Sequence, residues 1–434
     1  MQGRNFYFKD ILNIAFPIML GNIGFIMIGV GDVIVAGRHS TDTLAAISLA
    51  TAITNCIMML GIGILGSISA ILSNYRGEGK SVESYFVPSI KFALILATIT
   101  ASLIFACIPL IDKIGFEARL VPIIKDYFFI TAFASFGGYL HCAAKEFLQS
   151  FEIVLFPNLV TIFCIFLNLF LNIIFVFGYF GIPEMGAIGL AISSLIVRYF
   201  MAAVLLVYCV IKIKTGNNKD FKFFKDLIKV GLPASLAIMV EFTGFNIISI
   251  VMGRVSGIYA AAHNIMCTLT SVSFMVPLAI SAATAVKVGY SNGAKNYISM
   301  KKYAFTGIKI SVLFMACSAV VIGLIPEFLI KLFTSDTALI KVCVPIVYVL
   351  CFFQVFDGLQ VSLSGIFRGL KKTGVVLISN IIGYWFIAFP LGCLLAFKFK
   401  LNLLGFWCAL GFSSVVLCSI MLISMLKRFK NPEE

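Results

Sequence analysis

The sequence predicts an all-α integral membrane protein, with twelve transmembrane helices in two six-helix bundles related by a pseudo-two-fold axis along the membrane normal. Three observations carry that expectation. Of the 434 residues, 61% are hydrophobic and only 12% charged, about half the charged share of a soluble domain, so no water-soluble core hides this much apolar surface. Twelve apolar runs are each long enough to cross ~30 Å of hydrocarbon at ~1.5 Å per residue. The last six runs also repeat residues of the first six at a nearly fixed offset.

The first run, 11–36, follows Met1–Asp10 directly. It lacks the short apolar core and small-residue cleavage pattern of a removed leader, so it is read as a retained span. Runs at 44–73, 88–111, 123–145, 154–180 and 185–211 complete the first set. The longest polar stretch, Lys212–Lys229 (KIKTGNNKDFKFFKDLIK), then falls at the midpoint, where a linker between halves sits. Runs at 227–253, 258–286, 303–325, 338–364, 374–397 and 402–426 form the second set. The expected division is an N-terminal lobe over 1–211, a cytoplasmic linker over 212–229 and a C-terminal lobe over 230–434.

The 33 Lys and Arg against 19 Asp and Glu give a net charge of +14. In a soluble protein that balance would suggest nucleic acid, but here the bases crowd between apolar runs and act as topology signals. With the N-terminus inside, twenty-one of them fall in cytoplasmic segments and nine on the other side. Both termini are therefore expected in the cytoplasm, with the chain crossing the inner (plasma) membrane many times as a monomer.

Shifting the sequence by 216 residues superposes Pro17 on Pro233, Gly37-Arg38 on Gly253-Arg254, Ser40 on Ser256, Ala45-Ala46 on Ala261-Ala262 and Gly77 on Gly293. Further on, a shift of 221 places Tyr127 on Tyr348 and Gly137 on Gly358. Six is even, so both halves begin on the same side of the membrane and the repeat is parallel. Prolines inside spans, Pro17 first among them, break the helical hydrogen-bond ladder and read as bends near a binding site or as tolerated kinks.

Several chemistries are excluded. The twelve cysteines are scattered singly without a CxxC, and His39, His141 and His263 show no ligand spacing, so no metal site is expected beyond a transported Na⁺. The stretch Asn74–Ser81 (NYRGEGKS) has the look of a phosphate loop but follows a span rather than a strand. ATP-driven transport, enzymatic catalysis and a resident cofactor are not expected.

Three acids lie deep in spans, where an ionisable group costs roughly 2.5–3.5 kcal/mol: Asp32 (MIGVGDVIVAG), Glu241 (LAIMVEFTGFN) and Asp357 (FFQVFDGLQVS). No Lys or Arg lies within a helical turn of any of them. Each is therefore protonated, solvated by a cavity, bound to a cation, or hydrogen-bonded to hold two helices together. A hard cation prefers oxygen ligands, and a carboxyl exchanges it for a proton. The repeat sets Phe25 opposite Glu241, Ile248 opposite Asp32 and Phe136 opposite Asp357, so the scaffold is duplicated and the acids are not. Asn168 and Asn172 share one helix face at i, i+4. They supply either amide oxygens beside Asp32 or interhelical hydrogen bonds. Asn264 and Asn380 are weaker examples of the same kind.

The order Pro17, Asp32, Gly37 followed by LAAISLA at Leu44–Ala50 resembles the first two spans of the multidrug and toxic compound extrusion (MATE) family. The resemblance continues through Glu241, Gly253, AAHN at Ala261–Asn264, FMVPLAISAATAVKVGYSNGAK at Phe274–Lys295 and DGLQVSLSGIFRGLKKTG at Asp357–Gly374. YWFIAFPLG at Tyr384–Gly392 and LLGFWCAL at Leu403–Leu410 extend it to the last span. The resemblance implies an antiporter that exports cationic amphipathic drugs in exchange for Na⁺ or H⁺. Carrying both Glu241 and Asp357 is similar to the NorM-type branch, in which the matching acids are associated with cation coupling and the acid matching Asp32 with cation or substrate. Asn264 stands where the family's pattern has Gln, and Asn264, Asn380 and Tyr384 are the further candidate substrate contacts. The high aromatic content suits cation–π and dispersion contacts with varied drugs. A lipid-linked saccharide flippase of the same superfamily is the alternative; it would need buried bases for a phosphorylated head group.

Overall fold

In hydrocarbon every backbone N–H and C=O must be satisfied within the chain, so each apolar run closes its own hydrogen bonds as a helix. The computed structural model describes residues 4–213, 216–218 and 221–430. Twelve long helices follow one another: α1 (Arg4–His39), α2 (Thr41–Gly77), α3 (Val82–Ile114), α4 (Val121–Ser150), α5 (Leu155–Phe177), α6 (Gly186–Ile213), α7 (Lys222–Val255), α8 (Gly257–Gly293), α9 (Tyr297–Leu324), α10 (Thr337–Gly369), α11 (Gly374–Lys398) and α12 (Asn402–Lys430). Among the described residues eleven are both long and apolar enough to cross a membrane. The other, α4, has the length, at 30 residues, but His141, Lys145 and Glu146 dilute its apolar character. All twelve expected spans are helical.

The helices gather into two units. One runs from Phe16 to Ser235, and the other joins the chain up to Ala15 to everything from Leu236 onward. The expected 212–229 linker falls partly outside the described residues, and from Lys222 it is already α7. Helix α1 therefore begins in one unit and continues in the other after Ala15, and α7 does the converse after Ser235. Pro17 and Pro233 stand within two residues of these two transitions, inside helices that run unbroken through them.

Each borrowed segment is held by an acid and aromatic rings. In the first unit the Tyr75 hydroxyl donates to Asp226 Oδ2 at 2.9 Å, and the fully buried Phe223 packs 5.3 Å from the Tyr85 ring. In the second, Lys287 Nζ pairs with Asp10 Oδ2 at 2.8 Å, and the Tyr303 hydroxyl donates to the same oxygen at 2.5 Å. The Tyr7 ring meets Tyr303 edge-on at 4.8 Å. Asp10 and Asp226 are themselves one 216-residue offset apart.

The repeat also explains several identities physically. Ser40 and Ser256 are both extended residues whose hydroxyls accept a backbone N–H from the first turn of α2 and α8, the stabilising role of an N-cap. Ala46 and Ala262 are buried at 1% and 0%. A side chain at Gly137 would strike the backbone of α6 at Tyr199, and one at Gly358 would strike Met315 of α9. Packing is thus what the duplicated residues share.

Candidate functional site

In the first unit, Asp32 of α1 is half-buried and faces α5 and α6. Asn172 Nδ2 donates to Asp32 Oδ1 at 2.7 Å and to Asn168 Oδ1 at 3.1 Å, while Ser194 Oγ lies 3.4 Å from Asp32 Oδ2. The asparagine pair thus meets Asp32 with an amide N–H, and the Asn172 Oδ1 and Asn168 Nδ2 atoms are buried without a partner. A cavity of about 320 Å³ opens beside the carboxylate, lined by Asp32, Thr51, Tyr127, Asn168, Ser194 and Arg198 among others.

Arg198 was not anticipated. It sits in α6, one turn past Ser194, and among the described residues its one hydrogen bond runs from Nη1 to Met58 Sδ at 3.4 Å, a weak acceptor for a group with five N–H donors. No ion pair within 4 Å joins it to Asp32 among the described residues. A side-chain carbon at Gly138 would lie in ordinary contact with its stem, 3.7 Å from Arg198 Cδ. The sequence signal of Arg198 is ISSLIVRYF, a lone base inside an apolar run.

The second unit gathers Glu241 of α7, Asp357 and Gln360 of α10, and Asn380 and Tyr384 of α11. Gln360 is the hub: its Nε2 donates to Glu241 Oε2 at 3.1 Å and lies 3.5 Å from Asn380 Oδ1, and its Oε1 accepts from the Tyr384 hydroxyl at 3.2 Å. Asn380 Nδ2 in turn donates to the Ala237 carbonyl at 3.1 Å, one turn before Glu241. Asp357 is 4% exposed and is an electrostatic neighbour of Glu241. Among the described residues it has no hydrogen-bond or ion-pair partner, and no base pairs with either acid. Two local features allow this approach. Gly244 leaves only 3.2 Å between where its side chain would begin and Tyr384 Cβ, and α11 widens into a π-helix over Ile381–Ala388, a form that recurs at functional positions.

The structure brings together Asp32, Asn168 and Asn172 in one cluster, and Glu241, Asp357, Asn380 and Tyr384 in another. Asn264 joins neither; it is exposed on α8. Gln360, like Arg198, was missed, although DGLQ places it at i+3 from Asp357 and so on the same helix face. The stretch resembling a phosphate loop ends the helix Ile68–Gly77, with Arg76 paired to Glu152 at 2.6 Å.

Residues 17–174 and 233–394 match the family described as MatE. A protein named as a probable multidrug resistance protein NorM from Photorhabdus laumondii subsp. laumondii is 29% identical over 436 residues, covering 96% of this chain and 95% of that protein. Another of the same name from Mesorhizobium japonicum is 28% identical over 97% of this chain and 94% of its own. Among solved structures, the eukaryotic MATE transporter AtDTX14 superposes with a TM-score of 0.88 at 18% identity, over 99% of this chain and 98% of that one. The outward-facing conformation of a multidrug resistance MATE family transporter of the MOP superfamily does so at 0.88 and 19%, over 100% and 99%. At those identities the structural likeness concerns the fold.

Proposed function

This chain belongs to the MatE family of membrane transporters, and from that premise we propose that it exports cationic, amphipathic drugs by alternating access in exchange for a monovalent cation. The multidrug resistance names of its relatives support the drug class. The observation that carries the cation is the pair Glu241 and Asp357: two neighbouring carboxyls in one apolar unit, Glu241 accepting from the Gln360 amide, and among the described residues neither paired with a base. Such a pair lowers its free energy by taking up Na⁺ or a proton. Na⁺ is the ion we assign, with Glu241 and Asp357 as its principal ligands and H⁺ as the competing assignment.

Asp32, supported by Asn168 and Asn172, is assigned to substrate or cation in the N-terminal unit, beside a cavity of about 320 Å³, near the lower end of small-molecule sites. Asn380 and Tyr384 belong with the cation cluster; Asn264 is assigned by family likeness, and Pro17 as a helix bend by proline's break in the helical hydrogen-bond ladder. Coupling requires that ion and drug favour different states of the transporter. Ion binding at Glu241 and Asp357 therefore weakens drug binding, and Na⁺ arriving from outside promotes release there. The chain acts in the inner membrane as a monomer, with both termini cytoplasmic. The flippase alternative gains one half-buried base, Arg198, but Asp32 shares the same cavity and opposes a polyanionic head group.

The deciding experiment is dye efflux from proteoliposomes under an imposed Na⁺ gradient at fixed pH, then under a pH gradient without Na⁺. The reading expects efflux to follow Na⁺. Efflux that follows only pH reassigns the ion, and efflux that still follows the ion when Glu241→Gln and Asp357→Asn are both present removes the site.

A further inference from the structure

The cavity of the N-terminal unit presents two opposite charges that are electrostatic neighbours without touching. Asp32 and Arg198 both line it, yet among the described residues no ion pair within 4 Å joins them. Asp32 receives the Asn172 amide and approaches Ser194, so one side of the cavity is a carboxylate held in place by donors. Arg198 lies four residues beyond Ser194, about one turn and ~5–6 Å further along α6. Among the described residues its guanidinium donates no hydrogen bond to an oxygen, only one to the Met58 sulfur. An intramembrane arginine generally pairs with a carboxylate or with backbone carbonyls; this one keeps its planar fork of donors for whatever enters the cavity.

From this geometry we propose that Arg198 is a specificity-determining residue that binds the carboxylate of zwitterionic substrates, while Asp32, on α1 in the same cavity, holds their ammonium or iminium group. The fork of a guanidinium matches a carboxylate in two parallel hydrogen bonds. A compound with one charge of each sign leaves neither wall of the cavity unpaired, whereas a simple cation satisfies Asp32 and leaves Arg198 facing apolar or like-charged surface. The carboxylated form of a drug is accordingly preferred over its ester. The inference rests on the reading of this cavity as the substrate site and adds to it the charge pattern of the substrate.

The test is equilibrium binding to the purified full-length protein in nanodiscs, read by fluorescence polarisation. The probes are two forms of one rhodamine: the dye with a free carboxylate, a zwitterion at neutral pH, and its ethyl ester, a cation. Wild-type protein is expected to bind the carboxylate dye at least as tightly as the ester. Arg198→Gln should weaken the carboxylate dye tenfold or more and the ester less than threefold, and Arg198→Lys should fall between, since it keeps the charge and loses the fork. Equal loss of both dyes, or no change in either, overturns the role of Arg198. Should Arg198→Gln fail to fold, a tenfold preference of wild type for the ester overturns it without any variant. Saturable binding of the ester alone leaves the substrate site standing and removes only the zwitterion proposal; binding of neither dye removes both.

Discussion

In the N-terminal unit the intramembrane acid has company of both kinds: Asp32 meets Asn172 and Ser194, and Arg198 lines the same cavity. In the C-terminal unit two acids share a cluster whose other members, Gln360, Asn380 and Tyr384, are all uncharged. With every group ionised, the first cluster sums to zero and the second to minus two. The difference teaches that the two sites need different guests. On the proposed function the C-terminal pair takes up a cation or protons, whereas the N-terminal pair, whose charges sum to zero, receives a guest that satisfies each charge separately.

The comparison breaks most completely at Asp32. Asp32→Asn leaves Arg198 as the cavity's one charge, and export of cationic dyes is expected to fall by about a hundredfold, to the level of cells lacking the transporter. Dye resistance measured alongside the amount of protein in the membrane checks this; wild-type resistance at normal abundance removes Asp32 from the site. The two charge balances also set how the membrane potential enters. In a one-for-one exchange, export of a neutral zwitterion moves one net positive charge inward per cycle, and 100 mV contributes about 2.3 kcal/mol, or roughly fiftyfold in accumulation. Export of a singly charged cation moves none. Rhodamine acid and ester in proteoliposomes at a clamped potential should separate accordingly; equal responses mean that the two compounds are exchanged for different numbers of ions.

Neutralising the C-terminal pair tests the other side. Glu241→Gln or Asp357→Asn should reduce gradient-driven efflux about tenfold and abolish its dependence on the ion, with drug affinity measured without the ion changing less than threefold. A large loss of ion-free affinity would mean that the acids hold the drug instead. The mildest perturbation is Gln360→Leu, which removes a donor from Glu241 and an acceptor from Tyr384. A shift of three- to fivefold in the ion concentration giving half-maximal efflux is expected, and an unchanged midpoint would show that Gln360 serves packing alone.

Much of the architecture could be read from composition and spacing, because hydrocarbon leaves the backbone few options: each apolar run became a helix, and the duplicated Ser40 and Ser256 became N-caps. The acids stood out for the same reason, being expensive where they are. What escaped was whatever depends on which helix faces touch. Arg198 and Asp32 are far apart in sequence, and nothing local couples them; Gln360 carries no charge and costs little enough in a span to pass unnoticed. The passage of α1 and α7 from one unit to the other was equally hidden. The only local traces were Asp10 and Asp226, ordinary surface acids until Tyr303, Lys287 and Tyr75 are seen beside them.

Those borrowed segments have a consequence for how the protein is made. The first unit lacks its last helical segment until Ser235 has been synthesised, so insertion of six spans does not finish it. The wait at the other end is longer. Asp10 finds Tyr303 only 293 residues later, which at ~5–20 residues per second is roughly 15–60 s of translation. Throughout that interval the leading turns of α1 are in the membrane or at its surface without their final neighbours, and a ribosome that stalls between Ser235 and α9 leaves the second unit open. The first unit can therefore close once Ser235 is in place, whereas closing the second is an event that spans most of the chain.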